Sequence, residues 1–422
     1  MGKEINKITT TYNFTDEYFE GAIEKNPGYK HKKLLKWQLF IDLAMFKNLE
    51  DMGTEIAILD PKVGGNIDNL IALFEQEADN SDIIFHKSYR IGIEAVTTAE
   101  IEWKKDFINK MEFLIKTKYL DKTHFISREN YSRKDHTAEI AKKVNMPIPE
   151  TWTLKDFMNM NRKYPVVLKN VSSANGTGVY LLDSEKQFRT FCNPKKYQEL
   201  KERFNPNLHL PKIKNFIVQQ YIETPSRHFT HYRILAVKDG SIIAAVLSVS
   251  KARKDENKII EIDYPKKPEF NMYHHIDSPL YLSCREFRSN SSQSGRQIPL
   301  IPRNSCAKEI SDEDKLILED HGIDPECPDL PNDIKFEAQR TARTFGKKGV
   351  VYSGLDYFQD KDLKPYFIEI NPQPGLKAFD TVFNRGEQNL EMAIALAIRK
   401  LSEGIYNSKV KDLTHKYNYA TR

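Results

Sequence analysis

Apolar positions along this chain fall into two alternating periods. In YKHKKLLKWQLFIDLAMFKNLED, Leu35, Leu39, Leu43 and Phe46 recur at helical spacing and predict a core-facing amphipathic helix over 29–51. TEIAILD (54–60) reads as a buried strand, 65–78 as a helix, DIIFHKSY (82–89) as a second strand and 101–120 as another amphipathic helix. This alternation predicts a small α/β domain over 1–127. Ser132 then stands where it can cap a helix that Pro147 and Pro149 end. Strands dominate from there: YPVVLKN (164–170), a strand after the small-residue loop VSSANGTG, and NFIVQQYIE (215–223). RILAVKDGSIIAAVLSV follows, a hairpin that turns at Asp239-Gly240.

Residues 252–304 show no clear period. From Glu309 to Asp333, ten acids stand against one lysine, with Pro325, Pro328 and Pro331, the composition of a solvated surface insertion. Apolar spacing predicts a helix at 336–348, a hairpin of 350–359 and 364–372, and a helix at 387–401; the last twenty residues are polar.

The second hairpin carries the strongest chemical signal. In FIEINPQPG, Ile368 and Ile370 point one way and Glu369 and Asn371 the other, because strand side chains alternate. With Lys361–Lys364 as the loop, Asp360 pairs with Pro365 and Asp356 falls opposite Glu369. Asp356, Glu369 and Asn371 then share one face. Two like charges that close need neutralising. An oxygen-only set of this size suits Mg²⁺, with Mn²⁺ as an admissible substitute, held together with substrate phosphates. Ordinary surface acids on an exposed face are the competing explanation.

Phosphates in turn call for cations and backbone N–H donors. Lys169 ends the apolar strand PVVLK, where a lysine is costly unless it faces a cleft. Six residues later, Asn175-Gly176-Thr177-Gly178 is small and flexible enough to approach a phosphate, although a plain hairpin turn or a snorkelling lysine explains each piece taken singly.

Composition narrows the class. The 422 residues allow two or three domains, and 40% hydrophobic and 29% charged residues describe a globular chain. A net charge of +5 without a dominant basic cluster gives no reason to expect nucleic acid. Cys192, Cys284, Cys306 and Cys327 lack metal-site spacing and fit a reducing cytoplasm. The first residues lack the apolar core of a signal peptide, and no stretch has the length of a membrane span. The eleven histidines, His274-His275 included, read as surface or packing residues.

The succession of lysine strand, glycine loop, QQYI, Arg233, FRSN (287–290), Asp356 and E-x-N resembles the ATP-grasp superfamily, most of all its ribosomal-protein-modifying glutamate ligases and glutathione synthetases. The resemblance covers about 124–400, and GLDYF…PYFIEINPQPG and PVVLKN…NGTGV are its most specific parts. It implies an α/β chain with an N-terminal domain (1–127), a small lobe (128–222), a C-terminal lobe (223–405) with insertions near 252–333, and a polar tail (406–422). ATP would lie between the lobes, its adenine against Gln219, Gln220, Tyr221 and Ile222, where many relatives have an acid. Lys134 and Lys169 match the phosphate lysines, with Arg133 competing for the first role. The loop holding Ser173, Asn175, Gly176, Thr177 and Gly178 would close over the phosphates. Arg233 matches an arginine that relatives carry in Asp-x-Arg; His231 replaces that Asp here. Arg288 and Asn290 match a segment near the transferred phosphoryl group, and Asp356, Glu369 and Asn371 match the Mg²⁺ ligands.

The activity implied is ATP-dependent joining of a carboxylate to an amine or thiol through an acyl phosphate. The substrates would be small molecules or peptides, with self-association into a homo-oligomer left open. A small-molecule kinase on the same fold and a non-catalytic ATP-binding protein are the rival readings.

Overall fold

The computed structural model describes residues 7–11, 48–58, 66–87, 98–119, 123–127, 133–171, 179–192, 216–253, 296–300, 310–347, 350, 352–371, 379 and 394–396. The α/β class expected from the pattern is observed: one parallel sheet and two antiparallel sheets, each with helices.

The first sheet is built from β1 (Lys7–Thr11), β2 (Glu55–Ile58), β3 (Ile83–Lys87) and β4 (Thr123–Ser127), all parallel, in the order β2-β1-β3-β4. Helix α1 (Ile67–Asp79) begins where Asn66 accepts from the backbone N–H of Asn69, and α2 (Thr98–Leu114) runs into a π-helical turn at Ile115–Tyr119. Phe74, Ile84, Phe107 and Met111 pack together between helices and sheet. Apolar periodicity misses β4 and also β1. The KITTT of β1 is β-branched but polar by count, and Thr9 is buried with its hydroxyl 2.6 Å from that of Ser81. Of the helix expected at 29–51, the described residues hold only the final turn, 48–51.

The second sheet runs in the order β5-β8-β6-β7, from β5 (Thr151–Thr153), β6 (Val166–Asn170), β7 (Val179–Leu182) and β8 (Phe216–Gln220). α4 (Leu154–Met158), capped by Thr153, and α5 (Glu185–Phe191) accompany it. One face, with Val166, Leu168, Tyr180 and Val218, packs on Phe157 and Phe188. The other presents Val167, Lys169, Leu181 and Gln219, as the registers of β6 with β7 and β8 require.

The third sheet has the order β11-β10-β9-β12-β13, from β9 (His228–Val237), β10 (Ile242–Arg253), β11 (Arg296–Pro299), β12 (Tyr352–Gln359) and β13 (Pro365–Asn371). Asp239-Gly240 turns the β9–β10 hairpin as expected. Gly240 has φ +94°, and a Cβ there would lie 2.8 Å from Arg343 Nε and 3.0 Å from the Gln339 carbonyl. Tyr232, Ile234, Leu247, Leu355, Tyr357, Phe367 and Ile370 form the apolar face. Packed on it are α3 (Lys134–Lys143), α6 (Asp312–Asp320) and α7 (Asn332–Gly346).

Two local readings change. The acid-rich stretch 309–333 is not all solvated surface, because Ile317, Leu318, Ile323 and Leu330 enter the core of the third sheet. Ser311 caps α6, and the acids Asp312, Glu313 and Asp314 occupy its first turn, where the helix dipole favours them. Burying Ile317 and Leu318 contributes roughly 2 kcal/mol each. Helix α3, which the sequence division assigns to the small lobe, packs with the third sheet through Ile140, Ala141 and Met146. Phe367 N–H donates to the Pro147 carbonyl just beyond it at 2.7 Å.

Candidate functional site

The β12–β13 hairpin brings Asp356 opposite Glu369 and Gly354 opposite Asn371. The route differs from the expected one. Gln359, not Asp360, pairs with Pro365, which alone would leave Asp356 facing Ile368. A register shift between Asp356 and Tyr357 takes up Ile368 as an extra residue and restores the Asp356–Glu369 pairing. Phe367 and Ile370 thereby both reach the core, while Glu369 stays on the opposite face with Asp356.

Arg233, on the neighbouring strand β9, lies directly across from Asp356. It donates from Nε to Oδ1 at 3.0 Å and from Nη2 to Oδ2 at 2.9 Å, a bidentate pair with both side chains mostly buried. Burial opposes the Arg233 charge, but the Asp356 carboxylate outweighs it and raises the arginine pKa further. Asp356 is thus the partner that Arg233 finds although His231 stands two residues before it.

Two lysines arrive from other elements. Lys134 opens α3, its backbone N–H held 3.1 Å from the Val171 carbonyl at the end of β6. Its Nζ lies 3.7 Å from Glu369 Oε2, reached around the end strand β13. Arg133 is exposed and paired with Asp135 at 2.7 Å, so of the two candidates Lys134 is the one aimed into the site. Lys169 projects from the cleft face of the second sheet and is buried. Burial holds its pKa down to about 8, against the upward pull of Glu369 and, more weakly, Asp356; Lys134 pushes it lower. His231 is buried on the same face as Arg233. Burial, with the charges of Arg233 and Lys169, holds its pKa down to about 3 against the pull of Glu369, and the imidazole is neutral near pH 7.

Three cations therefore meet two carboxylates, an excess that an anionic phosphate chain would balance. Asp356, Glu369 and Asn371 offer hard oxygens on one face, and each carboxylate oxygen keeps a second lone pair after accepting one hydrogen bond. No cluster of three or more His, Cys, Asp or Glu suited to a metal occurs among the described residues. So few protein ligands fit Mg²⁺ that brings phosphate oxygens and water with it, and not a resident structural ion.

The QQYI segment divides. Gln219 lies on the cleft face opposite Val167 and Thr151. Thr151 spends its hydroxyl proton on the Pro149 carbonyl at 2.9 Å and so accepts from Gln219 Nε2 at 3.1 Å. That relay leaves Gln219 Oε1 as the acceptor turned away from Thr151. Gln220 alternates to the other face, where its Oε1 accepts from Glu150 N–H at 3.3 Å, so its side chain does not join the cleft. Ile222 is buried, and Tyr221 meets Phe229 edge-on. Val167, Leu181 and Phe229, with Val179 and Tyr221 against them, form an apolar wall that motif reading missed. Alternation in VVLK held the signal, since it sets Val167 on the face of Lys169. Ser173, Asn175, Gly176, Thr177, Gly178, Arg288 and Asn290 lie outside the described residues.

No family model and no curated protein matches the chain. Among solved structures it is similar to a macrocyclase bound with a precursor peptide, from Microcystis aeruginosa, at 12% identity over 94% of this chain and 99% of that one, with a TM-score of 0.46. It is also similar to the D-alanine–D-alanine ligase of Bacillus anthracis, at 12% identity, 98% and 97% coverage and a TM-score of 0.41. A third is the N5-carboxyaminoimidazole ribonucleotide synthetase of Thermotoga maritima, at 12% identity, 93% and 76% coverage and a TM-score of 0.44.

Proposed function

We propose that this chain is an ATP-dependent ligase of the ATP-grasp type that activates a carboxylate as its acyl phosphate and joins it to an amine or thiol. The observation that carries this reading is the convergence of Lys134 and Lys169 on Glu369, beside the Arg233–Asp356 pair. The second and third sheets are the two lobes of this reading, and the first is the preceding domain.

The chain's own groups would divide the work. The apolar wall of Val167, Leu181 and Phe229 takes the base, and Gln219 Oε1 accepts from an exocyclic amine. Lys169 and Lys134 offset phosphate charge in a buried site, where such charges act strongly because water is scarce. Asp356, Glu369 and Asn371 would hold Mg²⁺, which when bound shields the phosphate oxygens from one another. The substrate carboxylate attacks the terminal phosphorus, the bond to ADP breaks, and Arg233 steadies the charge that moves onto the transferring oxygens. The nucleophile then attacks the acyl carbon and phosphate leaves. Burial of the site keeps water from competing at that carbon.

Incubation with Mg-ATP and pooled amino acids, di-acids and peptides tests the reading through ADP, phosphate and product mass. Condensed product with free phosphate is expected. A phosphorylated product would assign the chain to the kinases instead, and nucleotide binding without turnover in any pool would remove the enzymatic reading.

A further inference from the structure

Lys134 owes its place in the site to α3 being fixed at both ends. At the far end α3 stops in a Schellman turn. Asn145, in the left-handed region at φ +52°, donates from its N–H to the Lys142 carbonyl at 3.2 Å, and Met146 N–H donates to the Ala141 carbonyl at 2.9 Å. Arg340 on α7 donates from Nη2 to the Asn145 carbonyl at 2.8 Å and to that of Val144. Thr341, one residue on, sets its hydroxyl 3.3 Å from Met146 Sδ. The end of α3 is therefore bolted to the third sheet and its helices, while the Lys134 N–H ties the first turn to the Val171 carbonyl after β6. Only 9% of the Lys134 side chain is exposed, so the ammonium stays in the site as long as α3 stays docked.

What the ammonium does there is electrostatic. Its Nζ lies 3.7 Å from Glu369 Oε2. Lys169, on the second sheet, feels the charges of both Glu369 and Lys134. Asp356 already holds the Arg233 guanidinium with both oxygens. Among the described residues, the two carboxylates thus stand inside three positive charges. A free divalent cation would have to displace Lys134 from Glu369 and then lie beside it, a repulsion that a mostly buried site screens poorly. A polyphosphate reverses the sign. Its oxygens give Lys134 and Lys169 new partners, release Glu369, and add oxygen ligands for the cation.

We propose that Lys134 is a counter-ion gate on the metal site: it closes Asp356 and Glu369 to free divalent cations and opens them when a polyphosphate takes the ammonium over, so cation and nucleotide bind synergistically. This rests on the nucleotide and magnesium part of the ligase reading and adds a dependence of one on the other. The same side chain opposes the metal alone and favours the nucleotide, so its removal should move two affinities in opposite directions. A lysine that supported only the fold, or served only the phosphates, would not raise metal affinity when removed.

The test measures binding on the full chain. Mn²⁺ is titrated without nucleotide and followed by loss of the free-ion electron paramagnetic resonance signal, and ADP is titrated calorimetrically with Mg²⁺ and with EDTA. Mg²⁺ is expected to tighten ADP binding to the unmodified chain by at least about tenfold. Lys134→Met is expected to bind Mn²⁺ about tenfold more tightly than the unmodified chain, and ADP in EDTA about tenfold more weakly. Lys134→Arg, which keeps the charge, should gain no Mn²⁺ affinity. The gain should vanish when Glu369→Ala is added to Lys134→Met, which places it at this site. Three results overturn the gate: Mn²⁺ binding to Lys134→Met no tighter than to its parent, a gain shared by Lys134→Arg or surviving Glu369→Ala, and an ADP affinity of the unmodified chain that Mg²⁺ leaves unchanged. The last needs no variant and decides the matter even where Lys134→Met does not fold. ADP binding to the unmodified chain sustains the nucleotide reading whatever the Mn²⁺ titrations give. ADP that binds in neither condition removes that reading, and the gate with it.

Discussion

Lys169 is a residue that stability would reject and nucleotide binding would require, and the two demands can be separated by pH. In the unfolded chain a lysine keeps its proton up to about 10.5; in the fold, burial lowers this to about 8. Below pH 8 both states are protonated, and the fold bears the whole cost of a buried ammonium. The difference of roughly 2.5 units, at about 1.4 kcal/mol each, sets that cost on the order of 3 kcal/mol. Between pH 8 and 10.5 the folded protein releases the proton first, so stability rises with pH; above 10.5 both states are neutral and the cost is gone. Lys169→Met, which keeps the length and removes the charge, is therefore expected to stabilise the protein by about 3 kcal/mol at pH 7 and by little at pH 10.5. Denaturant unfolding of both proteins at the two pH values measures this, and titrations common to both cancel in the difference. Mg-ATP is expected to raise the unfolding midpoint of the parent, and the same variant should lose that increase. A Lys169→Met protein no more stable than its parent at pH 7, or one whose advantage does not shrink with pH, refutes the reasoning.

Glu369→Ala removes one of the oxygens proposed to hold Mg²⁺ and the charge facing both lysines; Mg²⁺-dependent ADP formation is expected to fall by about a hundredfold or more, with an unchanged circular dichroism spectrum. Arg233→Met leaves the Asp356 carboxylate buried and unpaired and should cost about 3 kcal/mol in denaturant unfolding, most of which Asp356→Leu on the same chain restores. Thr151→Val breaks the relay from Pro149 to Gln219, freeing the amide to turn; competition binding should show the preference for ATP over GTP shrinking by about tenfold.

Much of the site was legible because it rests on short-range rules. Alternation alone put Glu369 and Asn371 on one face, and an apolar strand ending in Lys169 singled out a lysine that either faces a cleft or snorkels to solvent, of which the fold chose burial. The Asp356–Glu369 pairing was reached with a loop one residue out, and the bulge at Ile368 hid the difference by restoring the register. No local rule places a bulge; it forms because Phe367 and Ile370 both gain the core only if Ile368 is the extra residue. β1 was missed for a related reason. Its threonines count as polar, yet in the middle of a parallel sheet they bury well once Ser81 answers the Thr9 hydroxyl.

The sequence by itself determined the α/β class, the two hairpins, the oxygen donors and the lysines, because each depends on side-chain period, turn chemistry and residue type over a dozen positions or fewer. Tertiary structure alone decided which partners these groups meet. Asp356 lies 123 positions from the arginine that grips it, and Glu369 meets Lys134 only because α3 packs on the far face of the third sheet and brings its first residue around the edge. The acid-rich stretch shows the same division. Its charge is a property of composition, but the burial of Ile317 and Leu318 belongs to the surface that α6 found to pack against. Long-range pairing and burial set the lysine pKa and the arginine's partner, since charge and solvent access are fixed by neighbours in space and not in sequence.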